Sequence, residues 1–357
     1  MVREARYFEE LGGGRVRCTL CPRDCRLRDG QAGFCFVREN RGGQLVTTAW
    51  GRSTGFAVDP IEKKPLAHYL PGSTVLSFGT AGCNLGCRFC QNWEMSKARL
   101  SDQRAEDDWT PERVVDLARQ EGTPGIAFTY NDPVIWAEYA IDVARAAHQA
   151  GLYTAFVTAG YVTPEARAEI FPHMDAANVD LKGFTEGFYS KLTLAHLAPV
   201  LDTLEWLARE ARTWVEVTNL VIPGWNDDPA ETRALSRWLV DHMGPDVPLH
   251  LTAFHPDFRM RDVPPTPPAT LRRARELALS EGLHHVYTGN VHDPAGQTTY
   301  CPSCGEAVIE RDWHAVRRVR LRGSACAGCG TRIAGRFEGE AVGPGDGRRR
   351  RLGPPRA

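Results

Sequence analysis

Eleven of the 357 residues are cysteines, and they divide without remainder into three groups. Cys18, Cys21, Cys25 and Cys35 lie near the start, Cys83, Cys87 and Cys90 lie in GTAGCNLGCRFCQNW, and Cys301, Cys304, Cys326 and Cys329 lie late in the chain. Four thiolates can close a metal site, whereas three leave a coordination position for something exogenous. The central triad, Cys-x3-Cys-x2-Cys after the strand-like run TVLSFGT, is therefore the candidate for chemistry. Three thiolates this close could hold three irons of a cubane cluster and leave the fourth iron free for a small chelating ligand. The competing reading is a structural zinc ion that borrows a fourth ligand.

The late pairs, Cys301-x2-Cys304 and Cys326-x2-Cys329, stand twenty-one residues apart, with Gly305 and Gly330 after them as tight knuckle turns need. They are expected to hold zinc in a tetrahedral four-cysteine ribbon, with a rubredoxin-like iron site as the alternative. The first quartet, Cys-x2-Cys-x3-Cys-x9-Cys, stays open between zinc and an auxiliary iron–sulfur cluster, because four thiolates suit both. The reading leans toward a structural metal site.

Composition bounds what surrounds these groups. Forty-three basic and forty-four acidic residues leave a formal charge of -1, so no global field attracts nucleic acid or an anionic membrane. The first twenty residues are charged and lack the apolar stretch of a signal peptide, and no uncharged apolar run reaches the roughly 18 residues of a membrane span. Together with the odd cysteine count, this predicts a reduced cytoplasmic setting with metal-bound thiols rather than disulfides.

The elements that must position the triad follow a βα pattern. Short apolar runs at 74–80, 125–130, 153–160, 177–183, 214–224 and 248–256 alternate with helix-length segments, and HHVYTGN at 284–290 reads as a further strand. Helices are expected over 110–122, 133–151 and 267–282, the first with Thr110 as cap ahead of Pro111. The expected fold is α/β, a partial (βα)6 TIM-like barrel over 71–298, with a cysteine-rich N-terminal extension over 1–70. A ribbon-like module over 299–338 and a disordered basic tail over 339–357 complete it.

Active sites of such barrels gather at the C-terminal strand ends. That places Cys83, Asn131, Asp132, the segment 158–160, Asp180, Lys182, Asn219 and His255 under scrutiny. Asp180 and Lys182, two residues apart on a strand, face the same side, where buried charges are expensive unless paired or used. Lysine is scarce, only five among the 43 basic residues, yet it is retained at 182. Asp132 could instead simply cap a helix before Pro133.

The triad, with Phe89 before its last cysteine, resembles the motif of the radical SAM superfamily. The phrases DPIEKKPL, GCNLGCRFCQNW, FTYNDP, VDLKGF, NLVIPGWND, AFHPDF and VYTGNV are similar to the branch of pyruvate formate-lyase activating enzymes, and most of all to the radical SAM member of the AmmeMemoRadiSam system. The resemblance implies a [4Fe-4S] cluster on Cys83, Cys87 and Cys90, S-adenosylmethionine (SAM) on its open iron, and a 5'-deoxyadenosyl radical that abstracts hydrogen from a substrate. It further implies that Phe89 and Asn290 lie near the adenosine, and that Asn131, Asp132, Asp180, Lys182 and His255 contact SAM.

A protein or peptide substrate, companion proteins and an external one-electron reductant of flavodoxin or ferredoxin type are the partners it implies. One alternative is an activase that installs a glycyl radical on another enzyme. A different class is a non-catalytic zinc or nucleic-acid-binding protein, although nucleic acid is disfavoured by the charge balance despite RRVRLR at 317–322.

Overall fold

The computed structural model describes residues 2–99, 109–339 and 342–352. Its centre is one sheet whose strands, numbered here along the chain, begin with β1 (Phe56–Pro60), β2 (Thr74–Phe78), β3 (Gly125–Phe128) and β4 (Tyr153–Thr158). It continues through β5 (Ala176–Asp180), β6 (Trp214–Val221), β7 (Leu249–Ala253), β8 (Val286–Gly289) and β9 (Arg350–Arg351). The spatial order runs from β8 back through consecutive strands to β1 and then β9. Strands β2 to β8 are parallel, while β1 and β9 add antiparallel at one end.

Among the described residues, each parallel crossover carries a helix of seven residues or more: α1 (Pro111–Gln120), α2 (Ala137–Gln149), α3 (Pro164–Ile170), α4 (Ala198–Glu210), α5 (Pro229–Met243) and α6 (Pro268–Ser280). The sequence dictates their starts. Thr110 accepts a hydrogen bond from the Arg113 amide ahead of Pro111, and Asp228 does the same for Ala230 ahead of Pro229. The strands are apolar on both faces, as β3 shows with four buried residues in four, because helices cover the outside and side chains fill the inside.

The HHVYTGN run supplies the further strand expected of it: β8 joins the six as a seventh parallel strand. Residue 70 does not divide extension from barrel: β1 pairs with β2 and belongs to the main sheet. Upstream of it lie two small three-stranded sheets that carry the first cysteine quartet.

The basic tail is also corrected over its described part. Arg350 and Arg351 pair with Val58 and Ala57 of β1, Arg349 reaches Asp59 at 3.2 Å, and Arg350 reaches Glu121 at 2.5 Å. An otherwise open sheet edge and two carboxylates give the arginines partners that composition alone does not reveal. Residues 340–341 and 353–357 of that tail lie outside the described residues. Among the described residues, no helix is long and apolar enough to cross a membrane.

Candidate active site

The C-terminal strand ends surround a cavity of about 900 Å³. Cys83, Cys87, Phe89 and Cys90 line it from the loop after β2, Asn131 and Asp132 from the turn after β3, and Thr158 from β4. Asp180, Lys182, Thr218 and His250 line it from β5, β6 and β7, with Asn290 beyond β8. Residues at opposite ends of the sheet, Ala57 and Thr288, border the same space, so the sheet wraps around it.

The cysteine loop is held by side chains whose own positions are fixed. Asn131 donates to the Gly82 carbonyl at 2.9 Å and to Thr80 Oγ1 at 3.2 Å, while its oxygen accepts from the Thr80 amide and from Trp136 Nε1. This spends the whole amide on structure, so Asn131 positions the loop. Tyr130 beside it adopts a left-handed φ of 73°, a strained conformation that the neighbouring contacts stabilise. Asn84 donates to the Tyr161 carbonyl and Lys97 Nζ to the Leu85 carbonyl at 2.7 Å.

Gly82 has φ 86°, and a Cβ there would come within 2.0 Å of the Cys35 carbonyl oxygen. Only glycine fits that contact, which brings the first cysteine quartet against the triad loop.

The triad can accommodate a cationic group. Burial pushes the Cys83 thiol up to about 11 and the Cys87 thiol up to about 12, the latter against the opposing pull of Lys182. Buried thiols of this kind become thiolates when a bound cation supplies the missing charge. The Leu85 amide donates to Cys83 Sγ at 3.5 Å, a hydrogen bond that favours thiolate.

Lys182, two residues beyond the end of β5 rather than on the strand, places Nζ 2.9 Å from Asp180 Oδ2, the pairing that two charges in one cavity require. Burial works against the ammonium, but Asp180 and then Cys87 outweigh it and hold Lys182 well above the ordinary lysine range. Asn219 points away from the cavity and clamps the Leu181 carbonyl at 2.7 Å, fixing the backbone between Asp180 and Lys182.

Asp132 lines the cavity and caps at once. It accepts from the Val134 amide, the Thr158 hydroxyl at 2.9 Å and the Ala159 amide at 3.2 Å, and burial nevertheless pushes its carboxyl up to about 6. Phe89 borders the cavity and also packs on Phe188 at 5.9 Å between ring centroids, so its core role and its place at the cavity coexist.

His255 is not brought to the triad. Strand β7 ends at Ala253 and the chain turns outward, leaving His255 exposed in a separate hollow of about 430 Å³. Asn290, at φ 58°, borders both spaces and donates to the Ala253 carbonyl.

Strand-end reasoning missed a second constellation on the cavity wall. Asp59, fully buried, accepts from Lys64 at 2.7 Å, Lys63 at 3.3 Å and the Tyr130 hydroxyl at 2.6 Å, besides Arg349. The run DPIEKKP held the signal, an aspartate followed four and five residues later by two of the five lysines.

The late quartet converges in a separate small module. Cys301, Cys304, Cys326 and Cys329 have sulfur atoms all within 4.8 Å of one another, with Gly305 and Gly330 at φ 75° and 78° in the two knuckles. The group could hold one tetrahedral ion.

A parallel sheet wrapped around a cavity, with a three-cysteine loop at its C-terminal end, defines the class of protein, and comparison with known proteins agrees. Residues 78–235 match the radical SAM superfamily. An uncharacterized protein of Methanocaldococcus jannaschii is 40% identical over 334 residues, covering 93% of this chain and 99% of its own length. The benzylsuccinate synthase activating enzyme of Thauera aromatica is 25% identical over 270 residues, covering 71% of this chain and 78% of its own.

Among solved structures, a radical SAM methyltransferase from Sphaerobacter thermophilus aligns with a TM-score of 0.49 at 17% identity, covering 62% of this chain and 68% of its own. The chain belongs to the radical SAM superfamily and is an enzyme. Its family chemistry is radical chemistry initiated by cleavage of SAM.

Proposed function

We propose that Cys83, Cys87 and Cys90 ligate a [4Fe-4S] cluster, that SAM binds beside it in the cavity, and that the substrate is a protein or peptide. The observation that carries this reading is the single cavity bordered by all three thiols and by the Asp180–Lys182 pair. When bound, cluster and SAM supply a 5'-deoxyadenosyl radical able to take hydrogen from a substrate.

The chain's own part is geometric and electrostatic. Asn131, Lys97 and Asn84 fix the cysteine loop, so its thiols need little reorganisation on binding. Lys182, cationic and adjacent to Cys87, favours negative charge at the triad and offers a donor for a carboxylate. Asp180 holds that ammonium, and Asp132, shielded by three donors, stabilises the turn that faces it. The wrapped sheet walls the cavity on the barrel side, which limits the access of bulk water to a reactive species.

The names of relatives, activating enzymes for benzylsuccinate synthase and pyruvate formate-lyase, support action on a protein, and the external one-electron reductant follows from the sequence resemblance. They favour the activase as second reading, while the sequence resemblance to the AmmeMemoRadiSam member supports a modifying enzyme that works with companion proteins. For the late quartet we propose zinc ahead of a rubredoxin-like iron: thiols 3.5 and 3.8 Å apart match the roughly 3.8 Å edge of a tetrahedral four-thiolate ion with metal–sulfur bonds near 2.3 Å.

After anaerobic reconstitution, 5'-deoxyadenosine should form from SAM and vanish when all three triad cysteines are replaced by alanine. Equal SAM cleavage by that variant sinks the reading. With candidate partners, a stable mass change in the partner supports a modifier, and a long-lived glycyl radical without mass change supports the activase.

A further inference from the structure

The three cysteine groups differ in a way that sequence spacing does not show. Among the described residues, only the late quartet has thiols converged within 4.8 Å. No three of Cys18, Cys21, Cys25 and Cys35 approach one another that closely, and neither do Cys83, Cys87 and Cys90. A single zinc ion needs its four sulfurs about 3.8 Å apart, whereas a cubane binds each thiolate through a different iron and spreads them. The first quartet thus shares the spread of the triad rather than the tightness of the ribbon.

Its four thiols sit on loops that are tied together. The Cys18 amide donates to the Cys25 carbonyl at 2.9 Å and the Phe36 amide to the Gly33 carbonyl at 2.9 Å, and a Cβ on Gly33 would lie 3.5 Å from Cys25 Sγ. Two non-glycine residues are held left-handed beside the ligands, Asp24 at φ 50° before Cys25 and Phe36 at φ 68° after Cys35. Strain at such positions persists where the surrounding structure fixes the site.

Surroundings separate the quartets as well. Cys18 and Cys35 are buried in the main hydrophobic core that also contains Cys87 and Phe89, while the late quartet sits in its own satellite core with Cys304 and Cys329 exposed. The Cys35 carbonyl abuts Gly82, and Arg23 Nε donates to the Asn84 carbonyl at 2.7 Å, so contacts from the quartet flank Cys83 on both sides. Standard backbone lengths then keep the Cα atoms of Cys35 and Cys83 within about 10 Å.

We propose that Cys18, Cys21, Cys25 and Cys35 ligate a second, cubane-type iron–sulfur cluster set directly beside the triad loop. Resting on the function proposed above, it serves as an electron relay. It takes one electron from a reduced flavodoxin-type donor on the side where Cys21 and Cys25 are partly exposed, passes it to the triad centre, and returns to its oxidised state.

The decisive protein is the full chain with Cys83, Cys87 and Cys90 all replaced by alanine, reconstituted anaerobically with iron and sulfide. It should retain about four irons and four sulfides per chain and give a cluster signal in electron paramagnetic resonance after dithionite reduction. Zinc in place of iron, or iron without sulfide, overturns the cluster. Retention of iron in this variant, combined with a parent that fails to cleave SAM, leaves the cluster standing and removes the function.

In the fully loaded parent, the two reduced centres should broaden each other's signals, and independent signals overturn their adjacency. The relay is tested with Cys21→Ala/Cys25→Ala, loaded at the triad. Triad reduction by flavodoxin hydroquinone should slow while reduction by dithionite persists, and an unchanged flavodoxin rate overturns the relay.

Discussion

Asp132 shows how one carboxylate can be both a structural cap and a charge at a reactive cavity. Its folded pKa of about 6 lies above the 3.8 of a free aspartate because burial outweighs its hydrogen bonds. A group shifted this way contributes stability that is complete below pH 4 and is lost as pH rises through 6, about 3 kcal/mol in all. Urea unfolding of the metal-free chain between pH 4 and 7 should therefore show this component in the parent and not in Asp132→Asn. The variant should also be about 1–3 kcal/mol weaker at low pH, since its amide nitrogen would meet the Ala159 amide, donor against donor, where either form of the carboxyl offers an oxygen.

Asn131 is the companion case. Asn131→Ala leaves the Gly82 carbonyl and Trp136 Nε1 without their partner, and should lower stability by about 2–4 kcal/mol while iron loading at the triad falls. An unchanged unfolding midpoint, with full iron content, contradicts its role as holder of the loop. The residue types of the site were legible in sequence because cysteine spacing and an Asp-x-Lys strand are chemical patterns. What Asn131 grips was not, because the partners at residues 80, 82 and 136 are set by folding of the turn.

At the scale of elements, strand and helix positions were readable from alternating apolar runs and from caps such as Thr110. The sheet's two antiparallel additions were not. β1 lies before the βα series and β9 at the end of an arginine run, and only the folded sheet reveals that one covers the other. A chain ending at residue 347 should lose β9 and expose the β1 edge, and hydrogen exchange at Val58, whose amide faces β9, should accelerate. Protection unchanged there contradicts the assigned pairing.

The loop after β2 makes the sharper case, because Gly82 joins two elements. Gly82→Ala forces a Cβ onto the Cys35 carbonyl and a side chain into positive φ, costing about 3 kcal/mol or more. It should reduce iron bound by both cysteine groups, not by the triad alone, in metal analysis of each set of ligand variants. His255 marks the limit of strand-end reasoning: two residues beyond β7 already suffice to carry a side chain out of the cavity.

Over the whole molecule, the ribbon module, the β1–β2 connection and the barrel meet at one buried polar cluster. His68 contacts the Ala334 carbonyl through Nδ1 and Tyr287 through Nε2, and its ring lies 4.4 Å from that of His285. Glu216 accepts from the Ala67 and His68 amides, and Arg311 donates to the Ala67 carbonyl and to Thr299.

Both histidines are held neutral. Burial, and then the neighbouring His285, keep His68 well below the ordinary range, and burial pushes His285 down to about 4 against the pull of Asp246. For a histidine lowered in the fold, the contribution is present above pH 6.5 and is lost as pH falls toward the folded value, by up to about 1.4 kcal/mol per pH unit for each ring.

The urea midpoint should therefore drop between pH 7.5 and 5.5, opposite in sign to the Asp132 component. Because His68 bridges segments, the amides around Ala334 and His68 should exchange faster at pH 5.5 than those of β4 and β5. His285→Phe removes one titrating ring and should flatten the midpoint curve by about half. A uniform rise in exchange across the sheet and ribbon would mean that the module and barrel unfold as one unit, and that this cluster is not the seam between them.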